Sequence, residues 1–489
     1  MPASSIEPRS GLMSQAAGGG TLRHAACAPA PALPPGASVR EAIALLDQKG
    51  ADALAVVDRD SGAPLGILTL RDILRRVVLA GGDLAQPVAS VMTGGVLSLS
   101  SEATLHQAGV TMIRRGVRHL VVVDSDGRFA NIVSQADLFS LPSARATELV
   151  EAIAQAQDIT QLAIIAAEVR GFCRQMLTEG LSADALCQQI SSLNDLISLR
   201  VIDLVSAMHE LPYVPWCWMV FGSEGRLEQT LSTDQDNGLV FSAESPEAAA
   251  SLRAIFLPFA RAVNEALDAC GFPLCKGNVM ASNPGLCLSV AEWKEKFLGW
   301  LRVAEPEAIL GATIYFDLRA LYGDETLVSG LQAWLLAQVR ESPAFLRAMA
   351  ESALNWQSPL GWWSNFRYDD NPEFPHTIDL KLHGVRPFVD AARIWALARG
   401  VSATNTAARL RAVGPLLHQK AEETSAFLGA LSQLQRMRLA NQVAATEPAA
   451  ANRVDPDRLN ELDRQILKEV FRQVRQLERL IEVEFLRTS

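Results

Sequence analysis

The 489-residue sequence predicts an α/β multidomain protein, and three observations predict it. A unit of helix, strand, turn and strand occurs twice near the N-terminus. In the middle, an apolar strand runs into a Gly-Ser turn and is followed by a pair of aspartates. From there to the C-terminus the apolar residues fall mainly at helical spacing.

The first observation rests on two segments, Ser38 to Leu74 and Thr104 to Phe139. Each begins with an amphipathic helix, Val39 to Gln48 and Leu105 to Arg115. Each continues into an apolar strand, "ALAVVD" and "HLVVVD", and after a turn into a second, "LGILT" and "ANIVS". The spacing reads as a hairpin, repeated after about 65 residues. The second strands end in Thr69-x-x-Asp72 and Ser134-x-x-Asp137. A hydroxyl with an acid three residues on is a helix capping box. The pair also resembles the signature of CBS domains, which implies that Thr69, Asp72, Ser134 and Asp137 hold the phosphate and ribose of AMP or ATP. Gly66 keeps the family's glycine, whereas Asn131 replaces it in the second copy, so the first site is expected to bind better.

Between Ala144 and Leu211 the apolar spacing predicts three helices, a connector that acts as a spacer or transmits strain. The second observation follows in "FGSEGRLEQTLSTDQDNGLVF", Phe221 to Phe241. The glycine lets the backbone approach a ligand, and free N–H groups with Ser223 suit phosphate oxygens. A helix is expected to start at "EGRLEQT". In a strand over "STDQDNGLVF", Asp234 and Asp236 share a face. Two adjacent carboxylates repel unless a cation lies between them, and Mg²⁺ is usually held by one or two carboxylates plus substrate phosphates. The alternative is a polar surface turn after a buried strand.

Gly-Ser followed at this distance by Asp-x-Asp resembles the DNA-polymerase-beta-like nucleotidyltransferases. The wording "GSEGRLEQTLSTDQDN" is similar to the CBS-linked branch near the uridylyltransferases of PII signalling proteins. The resemblance implies transfer of a nucleoside monophosphate from an NTP to a hydroxyl. It implies phosphate contacts from Gly222, Ser223 and Arg226, and Mg²⁺ ligands from Asp234, Asp236 and a third carboxylate. That third acid is expected to be Asp317, after the β-prone run Thr313 to Phe316, acting also as general base; alternatively it pairs with Arg319 or caps a turn. In "CKGNVMASNP", Lys276 is expected to reach the triphosphate and Asn283 the base or ribose, unless both only shape the loop. In "IDLKLHGVRPFVDAARIWAL", Lys381 and Arg386 are expected to meet phosphates, with a salt-bridged helix pair as the alternative.

The predicted architecture is thus a disordered N-terminus (1–21), a tandem CBS pair (22–141), a helical connector (142–212), a polymerase-beta-like nucleotidyltransferase α/β domain (213–325) and an all-α substrate-binding C-terminal domain (326–489). A net charge of −10 and a pI near 5.4 argue against a nucleic-acid groove. No apolar run approaches the roughly 18 residues of a membrane span. Seven cysteines without CxxC spacing fit reduced thiols in a cytoplasmic protein, and Cys270, Cys275 and Cys287 lack the His or paired Cys of a zinc site. Trp356, Trp362 and Trp363 read as core. The expected partners are an NTP, AMP or ATP, an acceptor that is a signalling protein or a small molecule, and a second copy in a homodimer. The rival readings are a non-catalytic nucleotide sensor and an interaction scaffold.

Overall fold

In the first 154 residues the repeat builds two small sheets. In the first, β1 (Ala32–Leu33), β2 (Ala53–Val57), β3 (Pro64–Thr69) and β4 (Thr93–Gly94) lie in that order. In the second the order is β5 (Ser98–Ser100), β6 (His119–Val123) and β7 (Phe129–Ser134). This is a computed structural model that describes residues 30–103, 119–134, 144–178, 181–303, 311–355, 357–361, 365–445 and 447–487, with Leu22, Ala108, Thr111, Met112, Arg115, Val117 and Ile309 besides. The readings for residues 1–21, most of the helix Leu105 to Arg115, Asp137, Trp356, Trp362 and Trp363 fall outside the described residues.

The two hairpins share one register. Ala53 faces Thr69 and Val56 faces Gly66 in one copy; His119 faces Ser134 and Val122 faces Asn131 in the other. Each ladder slips at the same next step, Val56/Val57 and Val122/Val123. Helix α1 (Val39–Lys49) is closed by a Ser38–Glu41 capping box and buries Val39, Ala42 and Leu46 against Leu54, Val56 and Leu68. The short helix α2 (Leu70–Ile73) starts at Thr69 and continues as a π-helical turn to Val78. The connector forms three helices, α3 (Ala144–Gln155), α4 (Ile159–Thr178) and α5 (Ala183–Ser206).

Residues 155–489 form the second unit, which therefore takes in α4, α5, the middle sheet and the C-terminal helices. Its sheet joins β8 (Trp216–Val220), β9 (Asn237–Phe241), β10 (Cys287–Ser289) and β11 (Arg319–Gly323) in the order β10-β9-β8-β11. Between β8 and β9 lies the one-turn helix α6 (Gly222–Gly225); α7 (Pro246–Ala269) and α8 (Val290–Val303) follow the next strands. The alternation of strand side chains divides β8. Trp216 and Trp218 turn to Phe259 of α7, at ring distances of 5.5 and 6.3 Å. Cys217 and Met219 turn the other way, into a core that runs on through α9 (Glu325–Arg340), α10 (Pro343–Ala353), α11 (Arg386–Arg399), α12 (Thr406–Leu416), α13 (Ala421–Ala444) and α14 (Glu461–Ile481). No helix among the described residues is long and apolar enough to cross a membrane.

Thr313 to Asp317 is a 3₁₀ turn, not the expected strand, and β11 starts two residues later. A strand would send Tyr315 and Phe316 to opposite faces. Both are needed in one aromatic cluster: Tyr315 stacks on Trp300 at 4.9 Å, and Phe316 packs on Phe297 at 5.6 Å and Phe345 at 5.2 Å. The expected helix at "EGRLEQT" also differs: α6 begins at Gly222, ends at Gly225, and Leu227 takes a left-handed φ of 57°.

Asp317 is fully buried and receives three guanidiniums. Arg393 donates to both of its oxygens at 3.0 and 2.6 Å, Arg409 at 2.6 Å and Arg226 at 2.7 Å. Burial alone would raise this carboxyl, but Arg393, Arg409 and Arg226 hold it well below the usual carboxylate range. Replacing it by Asn would leave three buried cations short of their shared partner. Asp317→Asn should lower unfolding stability by about 3–5 kcal/mol, read by denaturant titration; a change within about 0.5 kcal/mol would contradict this account. The folded-state pKa lies below that of the unfolded chain, near 3.9. The Asp317 contribution is therefore fully present above about pH 4 and is lost as pH falls toward the lower folded value.

Gly225 sits directly under this carboxylate's backbone. A Cβ there would lie 1.8 Å from the Asp317 carbonyl oxygen. Gly225→Ala should cost about 3 kcal/mol or more by overpacking. Gly299→Ala in α8, whose added Cβ meets nothing within 4 Å, should be neutral or stabilising. Thermal melts of both variants test the contrast, and equal shifts would contradict it.

Candidate functional site

The end of β8 and the start of β9 meet at one point. The Phe221 N–H donates to the Asp236 carbonyl at 2.8 Å, which draws Gly222 and the aspartates together. Gly222 has φ 54°, and a Cβ on it would stand 2.9 Å from Asp236 Oδ2 and 3.0 Å from Ile314. Only glycine permits both the left-handed backbone and that approach. Gln235 points the other way, buried, donating to the carbonyls of Asn264 at 3.0 Å and Phe272 at 2.8 Å. Asp234 and Asp236 accordingly turn to the same side, into a cavity of about 250 Å³.

Gly222, Ser223, Arg226, Asp234, Asp236, Lys381 and Arg386 all line that cavity. Lys276 and Asn283 do not. Lys276 is exposed, and Asn283 shapes its own loop, accepting from Gly285 N at 2.9 Å and donating to Asn278 O at 3.1 Å. Asp317 stands apart from the aspartate pair as well. Its carboxylate is wholly engaged by three arginines, so neither metal ligation nor proton uptake is open to it. Arg319, the alternative partner for Asp317, bridges Asp195 at 2.9 Å and Glu224 O at 3.0 Å. That contact pins connector helix α5 to β11 and α6.

Burial, with Asp234 beside it, pushes the Asp236 carboxyl up to about 7. A cation between the two would relieve both effects. Cys275 completes a group of three: its Sγ and one oxygen from each aspartate lie within 4.8 Å of one another, and the thiol donates to Asp236 Oδ1 at 3.5 Å. The residues thus fit a divalent cation, with two hard oxygen ligands and one soft sulfur at the margin.

The helical region supplies the opposite wall. Arg386 and Arg393 reach in from α11 and Arg438 from α13, and Lys381 opens a π-helical turn, 381–385, just before α11. The loop before α12, the start of α12 and the end of α13 clamp the loop after α6. Thr404 Oγ1 donates to Gly225 O at 2.8 Å, Thr406 Oγ1 to Glu228 Oε2 at 3.0 Å, and Gln442 Nε2 to Thr230 Oγ1 at 3.0 Å. Arg226 bridges Asp317 and Glu228, and these acids keep it charged in spite of its burial. Cys275, Arg393 and Arg438 were not legible as site residues, because no local spacing links them to the Asp pair.

In the first unit Thr69 and Asp72 close a complete capping box. Thr69 Oγ1 donates to Asp72 Oδ2 at 2.7 Å and accepts from Asp72 N at 3.2 Å. Asp72 Oδ1 meets Arg76 at 3.2 Å. Asn131, at the position of Gly66, accepts from Ala30 N at 2.9 Å. Ser134 ends β7.

Comparison with known proteins bears on each part. Residues 25–79 and 88–144 match the CBS domain, 167–307 match "Putative nucleotidyltransferase DUF294", and 343–485 match "Putative nucleotidyltransferase substrate binding domain". The chain is 33% identical over 104 residues to the CBS domain-containing protein YhcV of Bacillus subtilis, covering 21% of this chain and 72% of that one. It is 28% identical over 87 residues to an uncharacterized protein of Methanopyrus kandleri, covering 18% of this chain and spanning only 44% of that protein's length. Among solved structures, a CBS domain protein of Pyrobaculum aerophilum complexed with AMP is 26% identical, with 27% of this chain and 99% of that chain covered at a TM-score of 0.24. Taken with the repeat and its shared register, the CBS family match and the Bacillus relative show that the chain belongs to the CBS-domain proteins, its tandem CBS pair followed by regions that match the DUF294 nucleotidyltransferase and substrate-binding families.

Proposed function

We propose that this protein is a divalent-metal-dependent nucleotidyltransferase that moves a nucleoside monophosphate from an NTP to an acceptor hydroxyl, under control of adenine nucleotides at the CBS pair. One observation carries the reading: the Gly222 turn and the Asp234–Asp236 pair share a cavity whose facing wall is cationic. Asp234 and Asp236 would hold Mg²⁺, which supplies charge stabilisation for the attacking and leaving oxygens. Gly222 and Ser223 offer N–H and hydroxyl donors to phosphate oxygens. Arg226 and Arg393, anchored on Asp317, present fixed guanidiniums, so little freedom is lost when an anion docks. Asp317 has this positioning role in place of a general base.

Asp236→Asn should abolish Mg²⁺-dependent transfer of label from NTP, by about 10³-fold or more, while the melting temperature without metal holds or rises, since repulsion and burial of charge are relieved. Normal turnover in this variant would remove the metal assignment. The proton sits on Asp236 below about pH 7 and must leave before a cation binds. Apparent Mg²⁺ affinity in the wild type should therefore climb through that range by up to about tenfold per pH unit below it. A flat profile between pH 5.5 and 8, about as wide as the expected transition, would count against this.

For the first unit, Thr69 and Asp72 support nucleotide binding because both side chains stand at the end of β3 in the arrangement implied by the CBS resemblance. Asp72→Ala should weaken AMP or ATP binding by about tenfold or more, as loss of a charge-assisted hydrogen bond does, and cost about 1 kcal/mol through the lost cap. Calorimetry on the full chain reads the first effect. Undiminished affinity would leave the capping box as a purely structural device.

A further inference from the structure

Among the guanidiniums around the cavity, one is treated differently. Arg226 and Arg393 are paired with Asp317, and Arg393 also with Asp390; Arg386 is paired with Asp390. Deeper in, Arg409 is paired with Asp317 and Arg319 with Asp195. Arg438 is only 6% exposed, yet it forms no ion pair with any carboxylate among the described residues. Its hydrogen bonds go to neutral amides: Nε donates to Asn452 Oδ1 at 3.0 Å and Nη1 to Gln435 Oε1 at 2.9 Å. Those two amides fix the plane of the guanidinium and leave Nη2 without an acceptor among the described residues. Arg438 and Gln435 both line the cavity.

A buried cation without a counter-ion is destabilising by itself. Burial accordingly pulls the Arg438 pKa down. Elsewhere in this unit the fold places a carboxylate beside each buried guanidinium described above. At Arg438 no carboxylate among the described residues comes within ion-pairing distance, and the more distant attraction of Asp379 and Glu228 does not offset its burial. Lys381 lines the same cavity, is exposed, and has neither an ion pair nor a side-chain hydrogen bond among the described residues. Its turn packs on α13, the helix that carries Arg438.

We propose that Arg438, with Lys381 beside it, is the anion receptor of this cavity, and that a phosphate or pyrophosphate group brings the counter-ion that the fold omits. Guanidinium geometry suits two phosphate oxygens at once, and the ammonium adds a mobile point charge. Such a group comes from one of two sources, the tail of the NTP or an anionic acceptor. The inference rests on reading this cavity as the substrate site. It does not depend on the metal, so its failure and that of the transfer reaction are separable.

The test is calorimetric titration of the full chain, without divalent metal, with inorganic pyrophosphate, UTP and UMP. Pyrophosphate has no base, and the uridine nucleotides avoid the adenine sites expected in the CBS pair. Arg438→Gln should weaken pyrophosphate binding by roughly 10- to 100-fold, the loss of a charged hydrogen bond, and Arg438→Lys should retain part of it. Lys381→Met changes an exposed side chain, so it carries the same test if Arg438→Gln fails to fold; it should weaken binding several-fold. Weaker UTP with unchanged UMP assigns the receptor to the triphosphate tail. Weaker pyrophosphate with unchanged UTP assigns it to an anionic acceptor. Absence of pyrophosphate binding to the wild type, or wild-type affinity in both Arg438→Gln and Lys381→Met, would overturn the proposal. Loss of metal-dependent transfer in Asp236→Asn is a separate result and leaves this one standing.

Discussion

Asp317 is where the four-stranded sheet and the C-terminal helices are joined by charge. A lone carboxylate in that position would be strongly disfavoured by burial; with Arg226, Arg393 and Arg409 around it, it stays ionised. The balance extends one step outward, because Glu228 takes a second bond from Arg226 and Asp390 a second from Arg393. With Arg386 also on Asp390, four guanidiniums and three carboxylates then close one network. A network of this kind rewards one arrangement and penalises the loss of any member, so it specifies how α11 and α12 sit on the sheet. The continuous core from Cys217 to Ile481 supplies the bulk of the adhesion; the charges supply the register.

That register determines what the cavity is. The loop between β8 and β9 contributes backbone donors, two aspartates and Arg226, while the helices contribute most of the cations, with Asp390 among them. Neither part alone has the polarity of the whole. Gly222 brings Asp236 against the backbone, and the threonines at 404 and 406 hold the loop that follows. A ligand with a phosphate chain and a bound cation matches both walls, one with each charge. The aspartates repel without a cation, and Arg438 has no carboxylate within ion-pairing distance among the described residues.

The first unit follows a different logic. Its two hairpins repeat a register down to the position of the slip, and the hydroxyl at the end of β3 serves the helix that follows. The capping box was readable from Thr69-x-x-Asp72 because every partner lies within three residues. Asn131, which reads as a departure from the repeat, turns out to have local work: its side chain accepts from Ala30 N and from its neighbour Ile132 N.

What the sequence determined by itself is whatever depends on short periods. The i, i+2 spacing puts Asp234 and Asp236 on one side and Gln235 on the other, although the strand expected over "STDQDNGLVF" begins only at Asn237 and the aspartates stand in the extended loop before it. The Gly-Ser turn after an apolar strand marks the approach to a ligand, and the repeat marks the tandem pair. The tertiary structure alone decided the fate of Asp317, whose partners Arg393, Arg226 and Arg409 lie 76, 91 and 92 residues away. An acid at the end of an apolar run reads equally as metal ligand, base or ion-pair partner. The choice is made by which charges the packed helices bring to it. The same holds for Cys275, Lys276 and Asn283, close in sequence, of which only the thiol turns to the aspartates. Spacing along the chain reports which side chains share a face; it carries no record of what lies opposite that face, because that is settled by burial and charge balance across the whole unit.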